Sequence, residues 1–185
     1  MIIGLTGPMG SGKTTVVNVL EKLGFRLVTL SDMVREEARR LSIKEERENL
    51  MNVGQSLRRK YGPGILAFRA LEKVKSAGGD KWLIDGIRNP AEVEELRKEP
   101  EFILLANTAP EDMIIERIMS RKRSDDTFDE TSIRRKLRRE WGEGEPPDGQ
   151  QVGKCVEMAD YVFENIMPFD EVEEEFTKLY NRIAN

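Results

Sequence analysis

Histidine is absent from the chain, and cysteine occurs once, at Cys155. One thiol excludes an internal disulfide, and one thiol without any imidazole leaves no ordinary zinc ligand set. Long apolar runs are missing too: none reaches the roughly 18 residues a helix needs to cross a bilayer. Met1 to Thr6 carries no basic stretch followed by an apolar core, so no secretion leader is read there and the cytoplasm is the expected location. A positive excess is also lacking. With 30 Lys and Arg against 34 Asp and Glu, the net charge of −4 argues against general affinity for nucleic acid, which needs a basic face. What is present is a globular composition, 38% hydrophobic and 35% charged residues of both signs, too apolar for a disordered chain. Abundant Lys, Arg and Glu hint at a heat-adapted source. At 185 residues the chain reads as one domain, 1–185, with room for a sizeable core and an inserted arm.

Apolar runs and helical periodicities alternate along the chain. Ile2 to Thr6 predicts a buried strand that ends at Gly7. Gly12 to Leu23 predicts a helix with Val16, Val19, Leu20 and Leu23 on one face, closed by Gly24. Phe25 to Leu30 predicts a second strand. From Ser31 to Gly79 the pattern is helical, with Asp32 placed to cap Met33–Leu41, then Lys44–Tyr61 and Ile65–Ser76 separated by Gly62-Pro63-Gly64. That stretch is too long for a simple connection and predicts a helical arm over 31–79. Trp82-Leu83-Ile84 predicts a strand, Pro90–Lys98 a helix, Phe102–Asn107 a strand, and Pro110 to Arg121 and Ser132–Trp141 two further helices. Gly142–Gln151 reads as a mobile loop and Tyr161-Val162-Phe163 as the last strand. Phe169, Val172, Phe176, Leu179 and Ile183 read as the apolar face of a closing helix. Strands alternating with helices predict an α/β fold, three layers around a parallel five-stranded sheet, with ligands beyond the carboxyl ends of the strands.

Gly7-Pro8-Met9-Gly10-Ser11-Gly12-Lys13-Thr14 satisfies G-x-x-x-x-G-K-[ST] in full and sits between a strand and a helix. Wrapping a phosphate chain in backbone amides demands residues that tolerate close approach and positive φ, which Gly7, Gly10 and Gly12 supply. The helix that follows points its positive end at the anion. Ser11 and Thr15 complete the set of loop residues expected at the nucleotide. Lys13 is predicted to reach the β- and γ-phosphates and the Thr14 hydroxyl to bind Mg²⁺. Asp85, at the end of the Trp82-Leu83-Ile84 strand, is the second Mg²⁺ candidate, acting through water. The expected ligand is an ATP- or GTP-like nucleotide.

Around these residues the chain resembles the nucleoside monophosphate kinase group, the relatives of adenylate kinase. Within that group it is similar to archaeal adenylate-kinase-like and dephospho-CoA-kinase-like proteins. The likeness covers most of the chain, loosely over 42–79 and 142–158. Ser31-Asp32-Met33-Val34-Arg35 is similar to the Gly-Asp-x-x-Arg of adenylate kinases, with Ser31 in place of the Gly. The resemblance implies that Arg35, with Asp32 beside it, binds the acceptor phosphate; a solvated helix charge is the competing reading. Asp85-Gly86-Ile87-Arg88 resembles the family's D-G-x-x-R, one residue shorter, and implies that Arg88 is a second acceptor ligand. An ion pair with Glu92 at i+4 is the alternative. Asn89-Pro90-Ala91-Glu92 resembles a segment of the deoxynucleoside monophosphate kinases of phages. Gln55, Arg58 and Arg59 are polar candidates on the arm, against a plain charged helix face.

Arg117-Ile-Met-Ser-Arg121-Lys122-Arg123-Ser-Asp125-Asp126 resembles the lid entry of adenylate kinases, R-x-x-x-R followed by R-x-D-D, with the lid nearly deleted between Arg121 and Arg123. A short lid over 117–139 is expected. The resemblance implies that Arg117 stacks on the donor base while Arg121 and Arg123 meet the phosphates, neutralising charge and excluding water on closure. Lys136 stands where the family has an Arg, and Arg134, Arg135 and Arg138 are alternatives to it. Ala159-Asp160-Tyr161-Val162-Phe163-Glu164-Asn165 is similar to the strand exit of dephospho-CoA kinases, which implies Asn165 near the donor base; it reads equally as a turn residue. Together these imply an ATP-dependent phosphotransferase that moves the γ-phosphoryl of Mg-ATP to a phosphate-bearing small molecule, a nucleoside monophosphate or a dephospho-CoA-like acceptor. For a hydroxyl acceptor, Asp32 is the candidate base. The alternative is a P-loop NTPase with a regulatory or assembly role and no small acceptor. A switch GTPase is disfavoured, since there is no N-K-x-D segment and Asp85-Gly86 is not spaced as D-x-x-G.

Overall fold

The computed structural model describes residues 1–120 and 129–184. Strands β1 (Ile2–Thr6), β2 (Arg26–Thr29), β3 (Trp82–Ile87), β4 (Phe102–Thr108) and β5 (Tyr161–Glu164) form one sheet in the order β2-β3-β1-β4-β5, every pair parallel. Period-2 alternation divides its side chains between two faces, and both faces are apolar because both are covered. Ile3, Leu5, Leu83, Leu105 and Phe163 meet α1 (Lys13–Lys22) and α9 (Val172–Ile183). Val28, Ile84 and Leu104 meet α2 (Leu30–Arg40), α4 (Ile65–Ala77), α5 (Pro90–Leu96) and α8 (Val152–Glu157). Outside that layer α3 (Arg47–Tyr61) inserts Val53 and Leu57 between α2 and α4. A separate small core of Ile114, Ile115, Ile118, Ile133 and Leu137 joins α6 (Glu111–Ser120) to α7 (Glu130–Trp141). No helix among the described residues is long and apolar enough to cross a membrane.

Four expectations change. α2 starts at Leu30, and its cap is Thr29: Thr29 Oγ1 accepts from Asp32 N at 3.1 Å while the Asp32 carboxylate accepts from Thr29 N at 3.3 Å, a reciprocal capping box. Burial of Leu30 in the core draws the helix start back toward the strand. The helical stretch 31–79 is less detached than an arm, because α4 lies on the sheet and only α3 stands off it. Gly142–Gln151, expected as a mobile loop, is stitched to the start of α5. Asn89 Nδ2 donates to Pro147 O and Gly149 O, both at 2.8 Å, and Gln151 N donates to Arg88 O at 2.7 Å. The short α8 that follows carries no helical period and was assigned to no element. Finally, Phe169 is 82% exposed and precedes α9; Tyr180 takes its place on the buried face.

Candidate active site

The loop leaves β1 at Thr6 and turns sharply at Gly7, whose φ of 140° suits glycine. A Cβ on Gly7 would collide with the Asn107 carbonyl oxygen, and one on Gly12 (φ 95°) with the Asn165 side-chain amide. The loop is thus pressed between the carboxyl ends of β4 and β5. Asn107 Nδ2 donates to Ser11 O at 2.8 Å and to Ser11 Oγ at 3.1 Å, fixing the buried Ser11. From α6, Arg117 Nη2 donates to Asn165 O at 3.1 Å and Oδ1 at 3.2 Å, and its Nη1 to Ser11 O at 3.4 Å. Three elements therefore hold the loop while the amides of Gly10, Gly12, Lys13 and Thr14 make no hydrogen bond among the described residues. Such a row of open donors at the start of a helix is suited to an anion. Lys13 Nζ folds back over the loop and donates to Gly7 O at 2.6 Å and Pro8 O at 2.8 Å. Thr14 is exposed and Thr15 half-buried at the first turn of α1.

Across the edge of β1, the register shifts between Leu5 and Thr6 opposite Gly86 (φ 87°), and this irregularity sets Asp85 beside Leu5 at the loop's root. Asp85 Oδ1 accepts from Gly86 N at 2.7 Å. Burial raises the Asp85 carboxyl above its ordinary range, while Lys13, the Gly86 amide and Arg88 pull it down. Burial lowers Lys13, opposed by Glu140 and Asp85, with Arg88 adding to the lowering. Lys13 therefore feels two anions, Glu140 and Asp85, and one cation, Arg88, around the loop. Arg88 does not pair with Glu92. Its Nε lies 3.6 Å from Glu140 Oε1, whereas Glu92 is taken by Arg58 at 2.8 Å and accepts from the amides of Arg88 and Asn89.

Further out, Arg35 Nη1 donates to Ser31 Oγ at 2.9 Å and Asp32 Oδ1 at 3.3 Å, and its Nε is 3.7 Å from Glu45. Arg59 pairs with Asp148 at 3.2 Å, and Gln55 lines a hollow of about 440 Å³ with Asn52, Ser56, Arg59 and Lys60. On α7, Arg134 is clamped by Glu111, Asp112 and Glu130 at 2.6 to 2.9 Å, which turns it toward the start of α6. Arg135 and Arg138 are exposed, and Lys136 lies one turn before Glu140 on the same helix face. Arg121 and Arg123 lie outside the described residues. Among the described residues no group of three or more His, Cys, Asp or Glu side chains could hold a metal by itself.

The sequence pattern of a family described as "AAA domain" matches residues 6–134. The UPF0200 protein of Pyrococcus horikoshii is 33% identical over 100% of the chain and 98% of its own length. The UPF0200 protein of Sulfurisphaera tokodaii is 31% identical over 98% and 97%. The chain belongs to the UPF0200 family. A UPF0200/UPF0201 protein of Archaeoglobus fulgidus is 33% identical over 99% of the chain, which spans 56% of that longer relative. Among solved structures, the shikimate kinase of Bacteroides thetaiotaomicron superposes with a TM-score of 0.60 at 14% identity, covering 100% of the chain and 99% of the kinase. That of Aquifex aeolicus gives 0.55 at 20%, covering 100% and 98%. The fold of this UPF0200 chain, a parallel five-stranded sheet with helices on both sides, is the P-loop kinase fold of those solved structures.

Two residues of this neighbourhood, Asn107 and Glu140, escaped the sequence reading, and a third, Glu92, was read with Arg88 as its partner where the structure has Arg58. Asn107 looks like an ordinary polar end to a strand. Glu92 looks like a surface charge on a short helix, although Asn89 and Glu92 together carry the spacing of a capping box. Glu140 did carry a signal: with Ile133 and Leu137 it falls at i, i+4, i+7 on the buried stripe of α7.

Proposed function

We propose that this chain is an ATP-dependent phosphotransferase that moves the γ-phosphoryl of Mg-ATP to a nucleotide-like acceptor bearing a phosphate. The observation that carries this reading is the loop Gly7–Thr14, held by Asn107, Arg117 and Asn165 with the Gly10, Gly12, Lys13 and Thr14 amides open, with Lys13 folded over it and Asp85 at its root. In the reaction the bond between the γ-phosphorus and the β–γ bridging oxygen breaks, a bond from the acceptor oxygen forms, and ADP leaves with the electron pair. Little covalent help is needed, only placement and neutralised charge.

On nucleotide binding, Lys13 exchanges two backbone carbonyls for phosphate oxygens, whose charge counters the lowering of its pKa by burial. Thr14 and Asp85 fit Mg²⁺, an ion that takes one or two protein oxygens and completes its shell with phosphates and water. The ion, when bound, screens the phosphates and lowers the barrier to attack. Asp85, whose carboxylate burial disfavours, would be held in its charged form by a cation bound there. Arg117 and Asn165 border the donor side. Arg35 and Arg88 are the acceptor-side cations, and Arg121 and Arg123 are assigned to the phosphates on closure. The single-domain reading, with 31–79 as acceptor region and 117–139 as a short lid, belongs to the same proposal. Asp32 is engaged by the Thr29 amide and by Arg35, which favours a phosphate acceptor, whose oxygen needs no base, over a hydroxyl.

The test is Mg-ATP consumption by wild type and Lys13→Ala against a panel of nucleoside monophosphates and dephospho-CoA. Turnover that requires one of these acceptors and falls by roughly 10²-fold or more in Lys13→Ala is expected, the loss typical of a phosphate-clamping donor. Hydrolysis indifferent to every acceptor would replace this reading with an acceptor-free NTPase. Unchanged turnover in Lys13→Ala would remove the site.

A further inference from the structure

α7 carries Arg134, Arg135, Lys136, Arg138 and Arg139, yet places the carboxylate of Glu140 on its buried stripe, where only 7% of the residue is exposed. A carboxylate is rarely stable in such a position unless every oxygen is matched. Here the matching is specific. Glu140 Oε2 accepts from Met9 N at 2.8 Å, so one amide of the phosphate loop is bound by an anion belonging to the protein itself. Glu140 Oε1 faces Arg88 Nε at 3.6 Å. One side chain of α7 therefore joins the loop that follows β1 to the arginine that follows β3. The loop and the arginine are on opposite sides of the proposed transfer.

We propose that Glu140 is a positioning residue, a carboxylate tether that fixes the Met9 limb of the phosphate loop and holds Arg88 beside it. This rests on the reading of the loop as the donor site. The tether has a definite electrostatic consequence: the donor's phosphates enter next to a fixed negative charge, which Arg88 offsets. Removing the charge while keeping the shape relieves repulsion and strengthens phosphate binding. Removing Arg88 while keeping Glu140 exposes the repulsion and weakens it. A residue that merely packs would move both affinities the same way, or neither.

The experiment is calorimetric titration of wild type, Glu140→Gln and Arg88→Met with Mg-ADP, which needs no knowledge of the acceptor. Glu140→Gln is expected to bind about tenfold more tightly and Arg88→Met about tenfold more weakly, each a change of about 1.4 kcal/mol. In the double variant the loss caused by Arg88→Met should disappear, since no buried anion remains for Arg88 to offset. Should Glu140→Gln fail to fold, Glu140→Asp takes its place: it keeps the charge but falls short of Met9 N and Arg88, so it is expected to weaken Mg-ADP binding, and unchanged binding overturns the tether. Wild-type binding that neither substitution alters, or that Glu140→Gln weakens, overturns the tether and leaves the donor site standing. Wild type that does not bind Mg-ADP at all brings down the donor-site reading, and the tether with it.

Discussion

Glu37 shows how one carboxylate is held on α2. It is nearly buried on α2, and Arg40 donates to it through two nitrogens, at 2.7 and 3.1 Å, while Arg69 of α4 approaches at 3.3 Å. The hydrogen bond from Arg40 is the main reason its pKa falls from 4.5 to about 2, with Arg69 helping and burial opposing. Because the folded value lies below the unfolded one, the stabilisation is fully present above about pH 4.5 and is lost as pH falls toward 2. Glu37→Gln should therefore be less stable than wild type in urea at pH 7, and the gap should close as the buffer approaches pH 2. A gap independent of pH would mean that packing, not charge, is what Glu37 contributes. Asp85 has the opposite sign: burial lifts its pKa, with Lys13 and Arg88 opposing, so its ionised form opposes folding at neutral pH.

Between elements, the Arg58–Glu92 pair joins α3 to α5. Glu92 is fully buried and the Arg58 side chain only 13% exposed. One Glu92 oxygen is satisfied by the amides of Arg88 and Asn89, and the other depends on Arg58. Arg58→Met strands that oxygen and should cost about 3–5 kcal/mol in urea denaturation, the usual range for breaking a buried pair. Adding Glu92→Gln should recover part of the loss, and a cost below about 1 kcal/mol would show that water or a rearranged side chain replaces Arg58. The pair also marks where sequence reading stops. The strands and the phosphate loop were legible because their signals are local: short β-branched runs, glycines at fixed intervals, a lysine before a threonine. Arg58 and Glu92 are 34 positions apart, and each alone resembles an ordinary helix charge. α8 was illegible for a different reason, since six residues with Gly153 inside them carry no period to detect. Arg88 was legible only through its motif after Asp85-Gly86, with Glu92 as the expected partner; β3 runs on to Ile87, and the carboxylate that faces Arg88, Glu140, lies on an element far along the chain among basic residues.

At the scale of the whole molecule, stability and binding reside in different places. The two faces of the sheet are packed by separate apolar clusters, and the candidate site lies at the sheet's carboxyl edge, outside both. Phe176 of α9 is fully buried and meets Phe163 edge-on at 5.3 Å. Phe176→Ala should cost about 3–5 kcal/mol through lost contact and the cavity left behind. For a chain of this length that lowers Tm by roughly 10 °C. The phosphate loop, however, is braced by polar side chains that belong to neither cluster, Asn107, Arg117, Glu140 and Asn165. Its affinity for nucleotide should survive the loss of packing behind α1. At one hundred times Kd, Mg-ADP adds about 2.7 kcal/mol to any protein that binds it only when folded. Scanning calorimetry with and without Mg-ADP should then show the same nucleotide-induced gain in wild type and in Phe176→Ala, on a lower baseline in the variant. If the gain shrinks along with the baseline, the loop owes its shape to the layer beneath it as well as to its side-chain braces, and core and site are not separate.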